Sequence, residues 1–104
     1  MPAMPTKLEL SKMIDHSLLN PTFTVETLEA GLQVSIEYLV ASVCIMPYYL
    51  ARATAVLKGT GVKPSTTIGF PHGANATAIK VAEAKQALAD GGEELDMVVN
   101  ISQV

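Results

Sequence analysis

One acidic residue, Asp96, sits inside the apolar run Leu95, Met97, Val98 and Val99. Burying a carboxylate among aliphatic side chains is unfavourable unless it is paired or put to use. Two roles fit: an acid/base group or lysine partner at the mouth of a barrel, or a structural aspartate holding backbone amides. The residue type leaves both open. Asp15 and His16 lie in a similar stretch nearer the N-terminus, but adjacent strand positions point to opposite faces, so they form no ready-made dyad. His16 alone, and His72 in a Pro/Gly turn, read first as ordinary core or surface histidines. Cys44, between Val43 and Ile45 with no histidine close in sequence, reads as a small core residue rather than a nucleophile. A metal centre drawn from His16, His72, Asp15 and Cys44 needs at least three converging ligands. Their spacing supplies no such set, and no metal is expected. The turn 69–75 leads into a helix and offers a place for an anion at that helix N-terminus, but it matches no phosphate-binding fingerprint. Tyr48 and Tyr49 are expected to pack at the start of a helix.

These residues depend on four short apolar runs, 14–19, 41–47, 64–70 and 94–101, each closing in polar, glycine or proline residues. Helix-patterned segments lie between them, and such alternation builds a parallel α/β sheet. A short N-terminal helix over 7–13 precedes the first strand. Asn20-Pro21 ends that strand, because the residue before proline is pushed out of the α region. Thr24 is the expected N-cap of the first long helix, whose apolar stripe is Leu28, Leu32, Ile36 and Leu39. A second helix over 48–58 buries Leu50, Ala53 and Leu57 and stops at Gly59 and Gly61. An alanine-rich third helix spans 76–89 and closes at Asp90-Gly91-Gly92. Along the strands Asp15, Ser17 and Leu19 share one face, as do Ser42, Cys44 and Met46, and Asp96, Val98 and Asn100. Small or polar residues thus gather on one side and aliphatic ones on the other. That pattern suits a barrel with helices outside and a site within better than an open doubly wound sheet, which usually carries a glycine-rich turn after its first strand.

Bulk properties narrow the function classes. The length of 104 residues suits one small domain, and 49% apolar content calls for a packed core. A net charge of −3 gives no electrostatic case for nucleic acid or anionic membrane. No run approaches the roughly 20 apolar residues of a spanning helix, and residues 1–6 lack a signal-peptide pattern. A single cysteine permits no internal disulfide, which fits a reducing, cytoplasmic setting.

Four stretches in register resemble deoxyribose-phosphate aldolase: Ile14-Asp15-His16-Ser17-Leu18-Leu19-Asn20-Pro21, Ala41-Ser42-Val43-Cys44, Ile68-Gly69-Phe70-Pro71-His72-Gly73-Ala74-Asn75 and Glu94-Leu95-Asp96-Met97-Val98-Val99-Asn100-Ile101. The resemblance runs across nearly the whole chain and implies a (β/α)8 barrel of which this sequence matches the first four strands. It implies cleavage of 2-deoxy-D-ribose 5-phosphate to glyceraldehyde 3-phosphate and acetaldehyde, in deoxyribonucleotide catabolism, without metal or organic cofactor. In that family a lysine amine forms a Schiff base with the sugar's carbonyl carbon, and a second lysine lowers the first one's pKa. An aspartate with bound water relays protons. That role falls on Asp96, and Asp15 is expected to orient the site. Ser17, Asn20, Cys44 and Phe70, in the matched segments, are the candidate substrate contacts.

Both family lysines belong to the second half of the barrel. The lysines present are Lys7, Lys12, Lys58, Lys63, Lys80 and Lys85, and by their positions in the pattern none is expected at the C-terminal end of a strand, where barrel chemistry occurs. The chain standing alone therefore reads as an inactive half-barrel, with the aldolase activity requiring a complement. Open strand edges invite pairing, so a homodimer is expected, the fourth strand of each copy pairing with the first strand of the other.

Overall fold

The computed structural model describes residues 3–104. Helix α1, Lys7–Ser11, starts at a reciprocal cap in which Thr6 accepts from the Glu9 amide at 3.1 Å while the Glu9 carboxylate turns back to Thr6. Strand β1, Asp15–Leu18, leads to helix α2, Val25–Tyr38, capped by the Thr24 hydroxyl at the Thr27 amide. Strand β2, Ser42–Ile45, is followed by a single 3₁₀ turn at Pro47–Tyr49 and by helix α3, Leu50–Leu57. Strand β3, Lys63–Ile68, helix α4, Thr77–Ala89, strand β4, Glu94–Met97, and a 3₁₀ turn at Ile101–Gln103 complete the order. The strands form one parallel sheet in the order β1-β2-β3-β4.

Register sorts the side chains into two faces. Asp15 lies beside Ser42, Ser17 beside Cys44, Cys44 beside Ser65, and Thr67 beside Asp96. The alternate residues Leu18, Val43, Ile45 and Ile68 form the core with Leu28, Leu32, Leu50, Ala53, Leu57 and Ala87 of the helices. One face is thus aliphatic and covered by helices, and the other is small and polar. This division is the one the alternation in sequence predicts. Lys12 closes the end of the sheet where β2 and β3 begin, its Nζ donating to the carbonyls of Val40 and Gly61. No helix of the described residues is long and apolar enough to cross a membrane.

Three expectations need correction. The fourth strand ends at Met97, not Ile101. Its neighbour β3 stops at Ile68, so the ladder reaches no further than the Val98 amide, which donates to the Ile68 carbonyl at 2.9 Å. Beyond it Asn100 caps the final turn, its Oδ1 accepting from Ser102. Leu39 leaves the apolar stripe of α2 because it adopts the left-handed conformation that ends the helix (φ 52°), and Val40 is buried in its place. Tyr48 touches Tyr49 edge to face, with ring centroids 5.0 Å apart, but is 89% exposed rather than packed on the helix start.

Candidate functional site

The polar face holds the chemistry. Asp15 of β1, Cys44 of β2 and Asp96 of β4 place one donor atom each within 4.8 Å of the others. Their convergence follows from register: Cys44 and Ser65 are neighbours, and Asp96 lies beside Thr67, two residues further along the same face of β3. Ser42, Cys44, Ser65 and Thr67 are buried and make the floor. Asp15 and Asp96 are exposed and stand over it. Asp96 escapes its aliphatic neighbours because Leu95 and Met97 alternate away from it, as the period-two reading of this strand expects, while its own side chain turns to the open polar face.

Electrostatics tie the three together. Partial burial raises the Asp15 carboxyl above its usual value; a 2.8 Å hydrogen bond donated by Ser42 Oγ opposes this, while Asp96 and Glu94 push in the same direction as burial. The Cys44 thiol is pushed up to about 12, first by burial, then by the negative charges of Asp96 and Asp15, with the Ser65 hydroxyl opposing. A thiol so placed is protonated at neutral pH and is a poor nucleophile. That agrees with its reading as a small packed residue.

The remaining candidates separate. Ser17 lies in the row of Cys44 on the same face. Asn20 lies beyond the end of β1, where its side-chain oxygen accepts from the Thr22 amide and hydroxyl at 2.9 and 2.8 Å and so forms a turn. Phe70, beyond β3, lines a cleft of about 420 Å³ with Leu19, Met46, Pro47 and Thr67. His16 and His72 stand outside the carboxylate–thiol cluster. The metal set weighed from sequence thus shares only Asp15 and Cys44 with the observed group, because Asp96 is the third member.

Several residues escaped notice in the sequence. Ser65 and Thr67 continue the period-two polar pattern of Ser42 and Cys44, a signal that was there to be read. Glu83 and Lys80 gave none. From α4, Glu83 accepts from the Gly69 amide at 2.7 Å, and Lys80 Nζ donates to the Val98 carbonyl at 2.9 Å. The expectation that no lysine serves the C-terminal end of a strand therefore needs amendment: Lys80 is helical, yet its long side chain reaches the backbone just past β4. Its ammonium is held by a carbonyl and is not among the charges that shift Asp15 or Cys44.

No protein-family model matches the chain. A deoxyribose-phosphate aldolase of Rhodopirellula baltica is 68% identical over 96 residues, covering 92% of this chain and 40% of the relative. A crystal structure assigned to a deoxyribose-phosphate aldolase from Coccidioides immitis superposes with a TM-score of 0.90 at 38% identity, covering 98% of this chain and 40% of that one. The deoxyribose-phosphate aldolase of Aeropyrum pernix, described as a tetramer, superposes with a TM-score of 0.87 at 30% identity over 94% of this chain and 42% of its own. These neighbours are TIM-barrel aldolases, and this chain spans about two fifths of the length of each. With four parallel strands in their order and likeness along nearly its whole length, the chain belongs to the deoxyribose-phosphate aldolase family.

Proposed function

We propose that these strands supply the proton-handling half of a Schiff-base aldolase acting on 2-deoxy-D-ribose 5-phosphate. Asp96 relays protons between water and the substrate carbon, and Asp15, held by Ser42, orients the site. Ser17 and Cys44 on the floor, Phe70 at the cleft and Asn20 at the rim are the substrate contacts. The amine that captures the carbonyl comes from outside the cluster, since no lysine is among the charges that shift Asp15 or Cys44. One observation carries this reading: Asp15 and Asp96 come from opposite edges of the sheet to within 4.8 Å, on the face turned away from the helices. An ammonium between two carboxylates is favoured in its charged form, which is the electrostatic setting for a lysine that tunes a neighbouring amine. The carbon–carbon bond breaks once the imine can take up its electrons, and Asp96 then returns a proton to the product carbon.

The role falls within deoxyribonucleotide catabolism in the cytoplasm, a setting that a lone free cysteine fits. Self-association through the sheet edges accompanies it when the chain stands alone. The likeness to aldolases does not favour reading the chain as a non-catalytic assembly module.

The test is a chimera in which this sequence replaces its 96-residue counterpart in the Rhodopirellula relative. The chimera is expected to cleave the sugar phosphate and to be trapped by borohydride as a reduced adduct. Asp96→Asn in that background is expected to lower kcat by about 10²–10⁴, the usual worth of a positioned acid/base group. A folded chimera without activity, or one indifferent to Asp96→Asn, would overturn the proposal.

A further inference from the structure

We propose that Lys80 and Glu83 of α4 are positioning residues for the polar face: between them they set how Phe70, at the exit of β3, stands relative to Asp96 of β4. Both lie outside the carboxylate–thiol cluster. The pairing of β3 with β4 ends at Ile68 and Met97. The Gly69 amide and the Val98 carbonyl lie just past it, and Gly69 is buried. Buried backbone groups require partners. Glu83 accepts from the Gly69 amide at 2.7 Å, and Lys80 Nζ donates to the Val98 carbonyl at 2.9 Å. Residues three apart on a helix share a face, so one face of α4 holds the exits of both strands. Hydrogen bonds to ionised side chains are also the stronger kind.

The contacts close into a circuit. A β-carbon built on Gly69 would lie 3.0 Å from Lys80 Cε, so the lysine stem covers that glycine. The Gly69 carbonyl accepts from the Gly73 amide at 2.7 Å. Gly73 in turn abuts the backbone carbonyls of Val98 and Val99. Phe70 follows Gly69 directly, and Asp96 lies two residues before Val98. Glu83 also lines the Phe70 cleft. Glu83 therefore acts through Gly69 on Phe70, and Lys80 acts through Val98 on Asp96. The placement stands on these contacts alone, while its effect on turnover rests on the aldolase reading.

Cys44 reports the position of Asp96 without any substrate, because Asp96 helps to suppress ionisation of the thiol. Lys80→Met keeps the stem and removes the ammonium, which is not among the charges acting on that thiol. In the 104-residue chain this variant should speed iodoacetamide alkylation of Cys44 about twofold or more. Lys85→Met removes the same charge from an exposed position of α4 and should change nothing. In an Asp96→Asn background Lys80→Met should add no further acceleration, since the carboxylate through which it acts is gone. Unchanged alkylation in Lys80→Met would overturn the proposal. Equal acceleration in both backgrounds would do the same, because it marks a general loosening of the fold.

Hydrogen exchange at the Gly69 amide tests Glu83. Glu83→Leu should speed it about tenfold or more, whereas Glu83→Gln keeps an acceptor oxygen and should stay near the parent. Exchange as slow in Glu83→Leu as in the parent would overturn the proposal. Circular dichroism confirms that each variant is folded, and if Lys80→Met unfolds the two Glu83 variants carry the test. In the chimera, Glu83→Leu should chiefly raise KM and Lys80→Met should chiefly lower kcat, each about tenfold. Loss of folded enzyme alone would lower kcat in both and leave KM unchanged, and that pattern counts against positioning. A chimera inactive before either substitution would sink the aldolase reading, and alkylation and exchange would still decide the positions.

Discussion

A β-carbon built on Gly73 would overlap the backbone carbonyl of Val99, so the turn after β3 rests directly on the chain leaving β4. Gly73 also has φ 68°, a conformation costly for residues with a side chain. Gly73→Ala therefore combines left-handed strain with a backbone clash that no rotamer relieves. It is expected to cost at least ~2 kcal/mol. Gly59 provides the control: its φ is 77°, but nothing lies within 4 Å of an added β-carbon. Gly59→Ala should cost only about 1 kcal/mol. Urea unfolding of the two variants checks the contrast, and equal losses would mean the Gly73–Val99 contact contributes nothing.

The bond from Ser42 to Asp15 bears on pH dependence. The carboxyl of Asp15 is raised above its ordinary 3.8, chiefly by burial. The folded state therefore binds the proton more tightly than the unfolded chain, and stability from this group falls as pH rises from 3.8 to the raised value. Above that value the loss is complete and constant. Asp15→Asn removes the titration and keeps an oxygen for Ser42 Oγ. The variant's stability relative to the parent should rise as pH climbs from 3.8 through the raised value and then level. Parallel curves in urea titrations at each pH would show that Asp15 carries no such burden.

Cys44 should be nearly inert. At pH 8 a thiol raised to about 12 holds about 10⁻⁴ of its population as thiolate, against roughly a quarter for an ordinary cysteine. Alkylation by iodoacetamide, followed by mass, should be at least about tenfold slower than for free cysteine, because the higher nucleophilicity of a high-pKa thiolate offsets part of its scarcity. Asp96 raises this thiol both by its charge and by its hydrogen bond. Asp96→Asn should thus speed alkylation while the fold persists. An ordinary rate in the folded parent would show that the thiol is neither buried nor charge-surrounded.

Much of this arrangement was legible in the letters. Strands β1 and β2 carry a period-two division of small polar residues from bulkier ones, helix α2 begins at its Thr24 cap, and α3 and α4 stop just before Gly59 and Gly91. Local signals fail where the partner decides. Val98, Val99 and Ile101 read as strand, but Ile68 ends the neighbouring ladder, and the backbone past β4 rests on Gly73 and the Lys80 ammonium instead. Lys80 fails for a related reason: its element was identified correctly, while the reach of its side chain to Val98 depends on how α4 docks. The site was half visible. Asp15 and Asp96 stand out as carboxylates in apolar runs, but their meeting over Cys44 and Ser65 depends on register across four strands, which no single segment encodes.

The sheet edges supply the last prediction. Among the described residues β1 and β4 each have a neighbouring strand on one side only, and edges of this kind attract further strands. Beside the β4 edge, Met97, Val99 and Ile101 are each about 60% exposed. Covering a few hundred Å² of such surface, at ~25 cal/mol per Å², is worth several kcal/mol. Two copies that join β4 of one to β1 of the other bury both edges at once. Sedimentation of the 104-residue chain at micromolar concentration should therefore report a dimer or larger species. Met97→Lys and Val99→Lys together should shift it towards monomer, because each ammonium must be desolvated or expelled when the edges meet. A stable monomer in the parent chain would mean that the two edges are satisfied by solvent alone.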